Sequence, residues 1–135
     1  MADLYPGIKE ILAHLKGKNI LLSIYTGKGR KAAIITLKKL AIHDYFDLII
    51  TGDDVQEHKP SAEGINKFLE QFSLRKNEVL MIGDSPADIK AANSAGVKIA
   101  SVLWGSYAKE KVLQLKSDFV FHSVEELRIF LENTI

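Results

Sequence analysis

The sequence has no cysteine, and its 135 residues include only three prolines and one tryptophan. Without cysteine, disulfides and thiolate metal sites are excluded, and a reducing cytoplasm is the expected location. No apolar run approaches the roughly 20 residues that a membrane-spanning helix needs. Met1–Pro6 also lack the basic start and apolar run of a signal peptide, so we expect a cytoplasmic protein with no membrane partner.

An excess of charge of one sign is missing as well. The 18 Lys and Arg residues almost balance the 17 Asp and Glu residues, and the formal net charge is +1. This balance argues against a nucleic-acid partner, which would require a basic surface. Hydrophobic residues make up 47% and charged residues 26%, as in ordinary globular proteins, and the length suits a single domain over residues 1–135.

Apolar segments with strand and helix spacing alternate along the chain. The predicted strands are Ile20–Tyr25, Asp47–Thr51, Glu78–Ile82, Val97–Leu103 and Phe119–Phe121. The predicted helices are Ile8–Leu15 (closed by Gly17), Arg30–Ala41, a segment from Ser61 to Phe72, Ser85–Ala95, Ala108–Leu115 and a C-terminal helix. This alternation predicts a three-layer, Rossmann-like α/β domain, with a mainly parallel sheet and helices on both faces. Ligands of such sheets bind beyond the carboxyl ends of the strands.

The first candidate site follows the first strand, at Thr26–Lys31. A hydroxyl and two glycines there would let backbone N–H groups approach an anion at a helix N-terminus. Lys28, Arg30 and Lys31 stand at the positive end of the helix dipole, which is favourable only if an anion is bound. An equally good interpretation is a solvated basic turn in which Thr26 is merely the N-cap.

The second candidate is Lys59, in the segment His58–Pro60. Pro60 restricts the residue before it to extended geometry, which could fix the direction of the lysine. A lysine at a strand-end cleft can neutralise a phosphate. The alternative is an ordinary exposed lysine.

The third and strongest candidate is the segment after the third strand. Asp84 follows Gly83 at the strand tip, where an exposed carboxylate could bind a hard cation such as Mg²⁺. Ser85 resembles a helix N-cap with Pro86 at the first helical position. Asp88 falls three residues after that cap, so either a capping box or a metal role explains it.

In order and spacing, these segments resemble the haloacid dehalogenase superfamily of phosphatases, especially its phosphoglycolate-phosphatase-like branch. The resemblance covers nearly the whole chain. It rests on Leu4–Gly7, Tyr25–Lys28, Thr51–Asp54, His58–Pro60, Ile82–Asp88 and Val102–Gly105.

The resemblance implies a phosphomonoesterase, in which an aspartate attacks phosphorus and water hydrolyses the aspartyl-phosphate, with Mg²⁺ as cofactor. By motif, Thr26 and Gly27 would hold phosphate oxygens as substrate-binding residues. Lys59 would form ion pairs with the phosphate and with the nucleophile, and both Lys59 and Thr26 would count as catalytic residues. Asp84 and Asp88 would be the metal residues, and the partner would be phosphate or a phosphorylated small molecule.

The sequence departs from the family at its beginning. The family's first strand ends in Asp-x-Asp, which supplies the nucleophile, and a cap domain usually follows; this sequence contains neither that strand nor any Asp-x-Asp. In the family that strand lies between the strands found here at Ile20 and Val79. We therefore expect either direct pairing of those two strands, or a complementing segment or homo-oligomer that fills the position.

Three alternatives follow from this departure. The chain is part of a phosphatase, inactive alone, whose nucleophile lies on another segment. Alternatively, it is a non-catalytic module derived from the same fold that binds phosphate, metal or a protein, or it is a structural remnant that binds no ligand.

Overall fold

Five strands alternate with six α-helices in the computed structural model, which describes residues 5–104 and 108–134. Leu4 and Gly105, two of the residues that carry the family resemblance, lie outside these ranges. The strands are β1 (Ser23–Tyr25), β2 (Leu48–Ile50), β3 (Leu80–Gly83), β4 (Lys98–Val102) and β5 (Phe119–Phe121). The helices are α1 (Ile8–Gly17), α2 (Arg30–Lys39), α3 (Glu63–Gln71), α4 (Pro86–Ala95), α5 (Lys109–Gln114) and α6 (Val124–Thr134). Two 3₁₀ turns that the sequence did not predict lie at His43–Tyr45 and Lys76–Glu78.

The chain divides into two compact units, residues 1–55 with 124–135, and residues 56–123. The first contains the parallel pair β1–β2. The second contains the parallel sheet β3–β4–β5, with β4 at its centre. The predicted α/β class with parallel strands is confirmed.

The strand pairing bears on the expectations for the family's first strand. Among the described residues, β1 pairs with β2 and β3 pairs with β4, and no direct pairing of β1 with β3 is found. The complementing segment and the homo-oligomer stay predictions, as does the single domain over residues 1–135.

In the second unit the core forms around α4 and β4, which pack against each other. Ala91, Ala92 and Ala95 on α4 are each at most 2% exposed, as expected for small residues that allow close packing on a sheet. Ile99 of β4 and Val112 of α5 are also buried. This packing fixes the start of α4, where the third candidate site lies.

In the first unit the helices contribute one buried face each. Ala33 and Leu37 are the buried residues of α2, whereas Ile34 is only half-buried. Asp47 ties the unit together, because its carboxylate accepts from the Leu22 N–H at 2.8 Å and from Lys16 Nζ at 2.7 Å.

The apolar runs of β1 and β3 predict buried strands, and the structure shows less burial than that. All residues of β1 are half-buried, and Ile82 in β3 is 42% exposed. Within residues 5–104 and 108–134, only the strand β4, which has a neighbour on each side, is buried over most of its length. The burial of a strand depends on how many strands lie beside it, and an apolar run in the sequence does not give that number.

Helix ends also differ from expectation. Gly17, predicted to close the first helix, is its last helical residue, and the left-handed residue is Asn19 at φ 60°. Ala41 and Ser73 take the same conformation after α2 and α3, at φ 59° and 51°. Among the carboxyl ends of helices that the structure describes, only that of α4 has a left-handed glycine, Gly96. No helix in the described residues is both long and apolar enough to cross a bilayer.

Candidate functional site

The carboxyl end of β3 delivers the strongest candidate residues. β3 ends at Gly83, and Asp84 follows it, exposed to solvent. Ser85 is the N-cap of α4: its hydroxyl accepts from the Asp88 N–H at 3.3 Å, and the Asp88 carboxylate accepts from the Ser85 N–H at 3.2 Å. This is the predicted capping box, with Pro86 at the first helical position. Asp84 is therefore held between a strand end and a fixed helix start.

Asp88 has protein partners at both carboxylate oxygens. Oδ2 accepts from the Asp84 N–H at 3.0 Å and from the Ser85 hydroxyl at 2.9 Å, and Oδ1 accepts from Lys59 Nζ at 2.8 Å. A Cβ on Gly83 would lie 2.4 Å from the Asp88 Cβ, so glycine is required for this approach. The capping interpretation of Asp88 is confirmed, and its role toward a metal stays a prediction.

Lys59 lies in the loop that leads into α3, and its side chain is 20% exposed. Glu63, the first residue of α3, closes that loop, because its carboxylate accepts from the N–H groups of Glu57 at 3.1 Å and Gln56 at 3.0 Å. These backbone hydrogen bonds lower the pKa of Glu63. Sequence reasoning missed Glu63, although an acidic residue in the first turn of a helix is a recognisable signal.

The electrostatics around Asp84 differ from those of an ordinary surface carboxylate. Partial burial and then the negative charge of Asp88 raise the pKa of Asp84, against the opposing effects of a backbone hydrogen bond and of Lys59. Because the side chain still meets solvent, screening limits the size of this effect. Two carboxylates and one ammonium group thus share the tip of β3.

The donor set at this tip is compatible with Mg²⁺. The described residues contain no group of three or more His, Cys, Asp or Glu side chains placed to hold a metal. Mg²⁺, however, usually keeps several waters and binds through one or two carboxylates plus substrate phosphate oxygens. Asp84 can supply one such carboxylate, while Asp88 is engaged by protein donors.

The loop after β1 contains the remaining candidates. Thr26 is half-buried; its N–H donates to the Ile50 carbonyl at 3.0 Å, and its hydroxyl accepts from the Lys28 N–H at 3.2 Å. Gly27 is exposed and has open space at its Cβ position. The interpretation of Thr26 as the N-cap is wrong, because the N-cap of α2 is Gly29, three residues further on.

The cations at the start of α2 meet anions that belong to the chain itself. Asp53 Oδ2 accepts from the Arg30 N–H at 2.7 Å, and Asp54 Oδ2 accepts from the Arg30 guanidinium at 2.6 Å. The basic character of this turn is therefore balanced in part without any bound ligand. Sequence reasoning included these two aspartates in the family resemblance but assigned them no role.

The structure thus groups the predicted site residues by unit. Lys59, Asp84 and Asp88 form one connected cluster in the second unit, through the contacts of Asp88. Thr26 and Gly27 belong to the first unit, at the end of β1. In each unit one candidate directly follows the carboxyl end of a parallel strand: Thr26 follows β1, and Asp84 follows β3.

Comparisons with known proteins add a family. The sequence model of the haloacid dehalogenase-like hydrolases matches residues 1–102. The pyrophosphatase PpaX of Halalkalibacterium halodurans is 32% identical over 127 residues, which cover 94% of this chain and 59% of that protein. The phosphoglycolate phosphatase of Nitrosococcus oceani is 33% identical over 130 residues, covering 96% of this chain and 58% of that protein.

A solved structure agrees with these relatives. The crystal structure of a predicted phosphoglycolate phosphatase from Haemophilus somnus matches with a TM-score of 0.89 and 30% identity, and covers 98% of this chain and 62% of that one. The chain spans about three fifths of the length of each of these three proteins.

Proposed function

The chain belongs to the haloacid dehalogenase-like hydrolase family, and from that premise we propose that it is the phosphate- and Mg²⁺-binding core of a phosphatase. The observation that carries the proposal is the contact of Lys59 Nζ with Asp88 Oδ1, at 2.8 Å, beside Asp84. This contact holds the Lys59 ammonium group near the end of β3, where the Asp84 carboxylate has a raised pKa. A phosphate group needs the first of these, and a hard cation needs the second.

Each residue has a distinct role in this proposal. The Thr26 hydroxyl and the Gly27 N–H hold phosphate oxygens, and Lys59 neutralises phosphate charge. Asp84 binds Mg²⁺, which when bound offsets the charge of the phosphate group. Asp88 orients Lys59 and the backbone of Asp84, consistent with its burial and its contacts.

The nucleophile of the family is not among these residues, because the 135 residues contain no Asp-x-Asp. We therefore propose that this chain binds phosphate and Mg²⁺ but does not turn over substrate by itself, and that a complementing segment supplies the nucleophile. The substrate class is a phosphorylated small molecule or inorganic pyrophosphate, which the names of the relatives support. We further propose a cytoplasmic location, which the cysteine-free sequence favours.

Binding and turnover, measured on the same 135-residue chain, test the proposal. Orthophosphate is titrated calorimetrically with and without Mg²⁺, and hydrolysis of p-nitrophenyl phosphate is followed in parallel. We expect saturable phosphate binding that Mg²⁺ strengthens, loss of the Mg²⁺ effect in Asp84→Asn, and no turnover. Lys59→Met should weaken phosphate binding, whereas Lys90→Met, at an exposed position on α4, is the matched control.

Two outcomes would contradict the proposal. Absence of phosphate binding under both conditions would remove the binding role, and turnover that Asp84→Asn abolishes would show that the chain is catalytically complete.

A second candidate, a non-catalytic binding module, is favoured by the same missing Asp-x-Asp. The two functions differ in what accompanies the chain. An in-frame Asp-x-Asp strand encoded upstream of Met1 or in a neighbouring gene would support the phosphatase, and its absence from both would support the module.

A further inference from the structure

The turn after β2, residues 51–54, holds the loop after β1 by backbone contact. The Gly52 N–H donates to the Lys28 carbonyl at 2.8 Å. A Cβ on Gly52 would lie 2.6 Å from the Gly27 carbonyl oxygen, which is backbone and cannot move aside as a side chain could. The loop proposed to bind phosphate is therefore seated directly on this turn.

Asp53 adds a second contact between the same two segments. The N-cap of α2 is Gly29, which has no side chain to accept from the first N–H groups of the helix. The Asp53 carboxylate does so instead, from the end of the neighbouring strand, by accepting from the Arg30 N–H at 2.7 Å. A helix cap supplied in this way also ties the helix to β2.

Asp54 fixes the other end of Arg30. Its Oδ2 accepts from the Thr51 N–H and the Thr51 hydroxyl, both at 2.7 Å, and from the Arg30 guanidinium at 2.6 Å. The same guanidinium donates to the Ile49 carbonyl at 2.8 Å. Arg30 is thus held at its backbone and at its side chain.

These contacts decide which donors remain for an anion. The Arg30 N–H and the Nη2 group of its guanidinium donate to protein acceptors, although they lie where a helix N-terminus usually binds phosphate. The Gly27 N–H, in contrast, has no acceptor within the described part of the chain, and Gly27 is open to solvent. At the start of α2 an anion would therefore meet the Asp53 carboxylate on the first N–H of the helix, whereas the Gly27 N–H of the loop is open to it.

We propose that Asp53 is a positioning residue, which ties the loop to β2 through the Arg30 N–H and thereby directs a phosphate group to Thr26 and Gly27. This inference rests on the proposed phosphate-binding role of those two residues. It deepens that role, because it explains why an acidic residue stands beside an anion site where its charge alone would be unfavourable.

Two substitutions at Asp53 separate position from charge. Asp53→Asn keeps an oxygen acceptor for the Arg30 N–H and removes the negative charge, so orthophosphate should bind as tightly as in the wild type or slightly more tightly. Asp53→Ala removes charge and acceptor together, and phosphate affinity should fall about tenfold, the loss expected for one ordered hydrogen-bonded contact. Tighter binding in both variants would overturn the proposal, since Asp53 would then act only as a repelling charge.

A double variant separates positioning from helix capping. In Asp53→Ala/Gly29→Ser, the serine can cap α2 from its own N-cap position, whose extended backbone (φ −65°, ψ 159°) suits such a cap, but it does not reach β2. We expect the stability to urea to recover while phosphate affinity stays low. Recovery of affinity together with stability would show that Asp53 is only a helix cap. Asp44→Ala, at a fully exposed carboxylate of the same unit, is the matched control.

A measurement without ligand keeps this test independent of the proposed function. The ¹H–¹⁵N shifts of Gly27 and Lys28 should move in Asp53→Ala and in the double variant, and stay in place in Asp53→Asn. If the wild type binds no orthophosphate, the proposed function fails, and these shifts still decide the positioning role. Unchanged shifts in Asp53→Ala would overturn it.

Discussion

Two pairs of aspartates follow two strands of this protein, and their environments differ. Asp53 and Asp54, after β2, each accept from Arg30, and Asp54 also accepts from Thr51. Burial alone would raise the pKa of Asp54, but the hydrogen bonds from Thr51 and Arg30 outweigh it and hold the pKa below its usual value. Both carboxylates of this pair serve to fix the chain.

The two aspartates after β3 have different environments. The Asp88 carboxylate is held by the side chain of Lys59 and by the start of α4, whereas partial burial and the charge of Asp88 raise the pKa of Asp84. The comparison teaches that two aspartates at a strand end need not share a role, because the hydrogen-bond donors and charges around each carboxylate decide its pKa.

The largest loss of stability is expected at Gly83, against which Asp88 of the second pair packs closely. Gly83→Ala would place a Cβ 2.4 Å from the Asp88 Cβ, and we expect the free energy of unfolding to fall by about 3 kcal/mol, as in severe overpacking. Urea denaturation measures it. Gly17→Ala is the control, because its Cβ would meet nothing within 4 Å and should not destabilise the protein. Equal stability of both variants would mean that Asp88 does not pack against Gly83.

Replacing Asp88 of one pair and Asp53 of the other by alanine compares the two pairs directly. Asp88→Ala removes the partner of a half-buried lysine and should cost about 3 kcal/mol. Asp53→Ala removes a cap at the surface and should cost about 1 kcal/mol. Chemical denaturation at neutral pH measures both free energies of unfolding. Equal losses would mean that the buried Asp88 and the exposed Asp53 stabilise the protein to the same extent.

The pH dependence of Asp54→Asn sharpens the comparison further. A carboxyl group whose pKa is lowered on folding stabilises the protein above its unfolded pKa, near 3.8, and loses that contribution as the pH falls through the folded value. The variant should therefore be less stable than wild type by about 1 kcal/mol at pH 7. The difference should shrink as the pH falls below 3.8 and vanish once the pH lies below the folded pKa of Asp54. A difference that persists there would assign the effect to shape rather than to charge.

Asp84→Asn should give the smallest effect, with the opposite sign. Folding raises the pKa of Asp84 above 3.8, so the ionised carboxylate opposes folding above that pH. Removing this charge should therefore stabilise the metal-free protein at pH 7. Solvent screening limits the gain to about 0.5 kcal/mol. Thermal unfolding at pH 7 and in acid below pH 3.8 checks it, and destabilisation at pH 7 would show that Asp84 also supports the structure.

Much of the fold could be predicted from the sequence because the relevant signals are local. The alternation of apolar segments identified the α/β class, and Ser85, Pro86 and Asp88 identified the start of α4. The burial of β1 and β3 could not be predicted, since it depends on neighbouring strands rather than on the residues of the strand itself.

The site was predictable in its membership but not in its contacts. Lys59 and Asp88 are 29 positions apart, and nothing local indicates that they form an ion pair. Asp53 acts on Arg30 from 23 positions away, so its contribution to the loop also required the structure. Such contacts arise from the crossover connections that bring strand ends together.

The left-handed residues after the first three helices matter for experiments on both aspartate pairs. Asn19 suits that conformation, but Ala41 and Ser73 carry a Cβ in a backbone region where an L-residue is strained. Neither is in the hydrogen-bonded clusters at the ends of β2 and β3. Ala41→Gly and Ser73→Gly would therefore relieve strain at a distance from those clusters, and would give a host protein in which destabilised variants such as Gly83→Ala still fold well enough to be assayed.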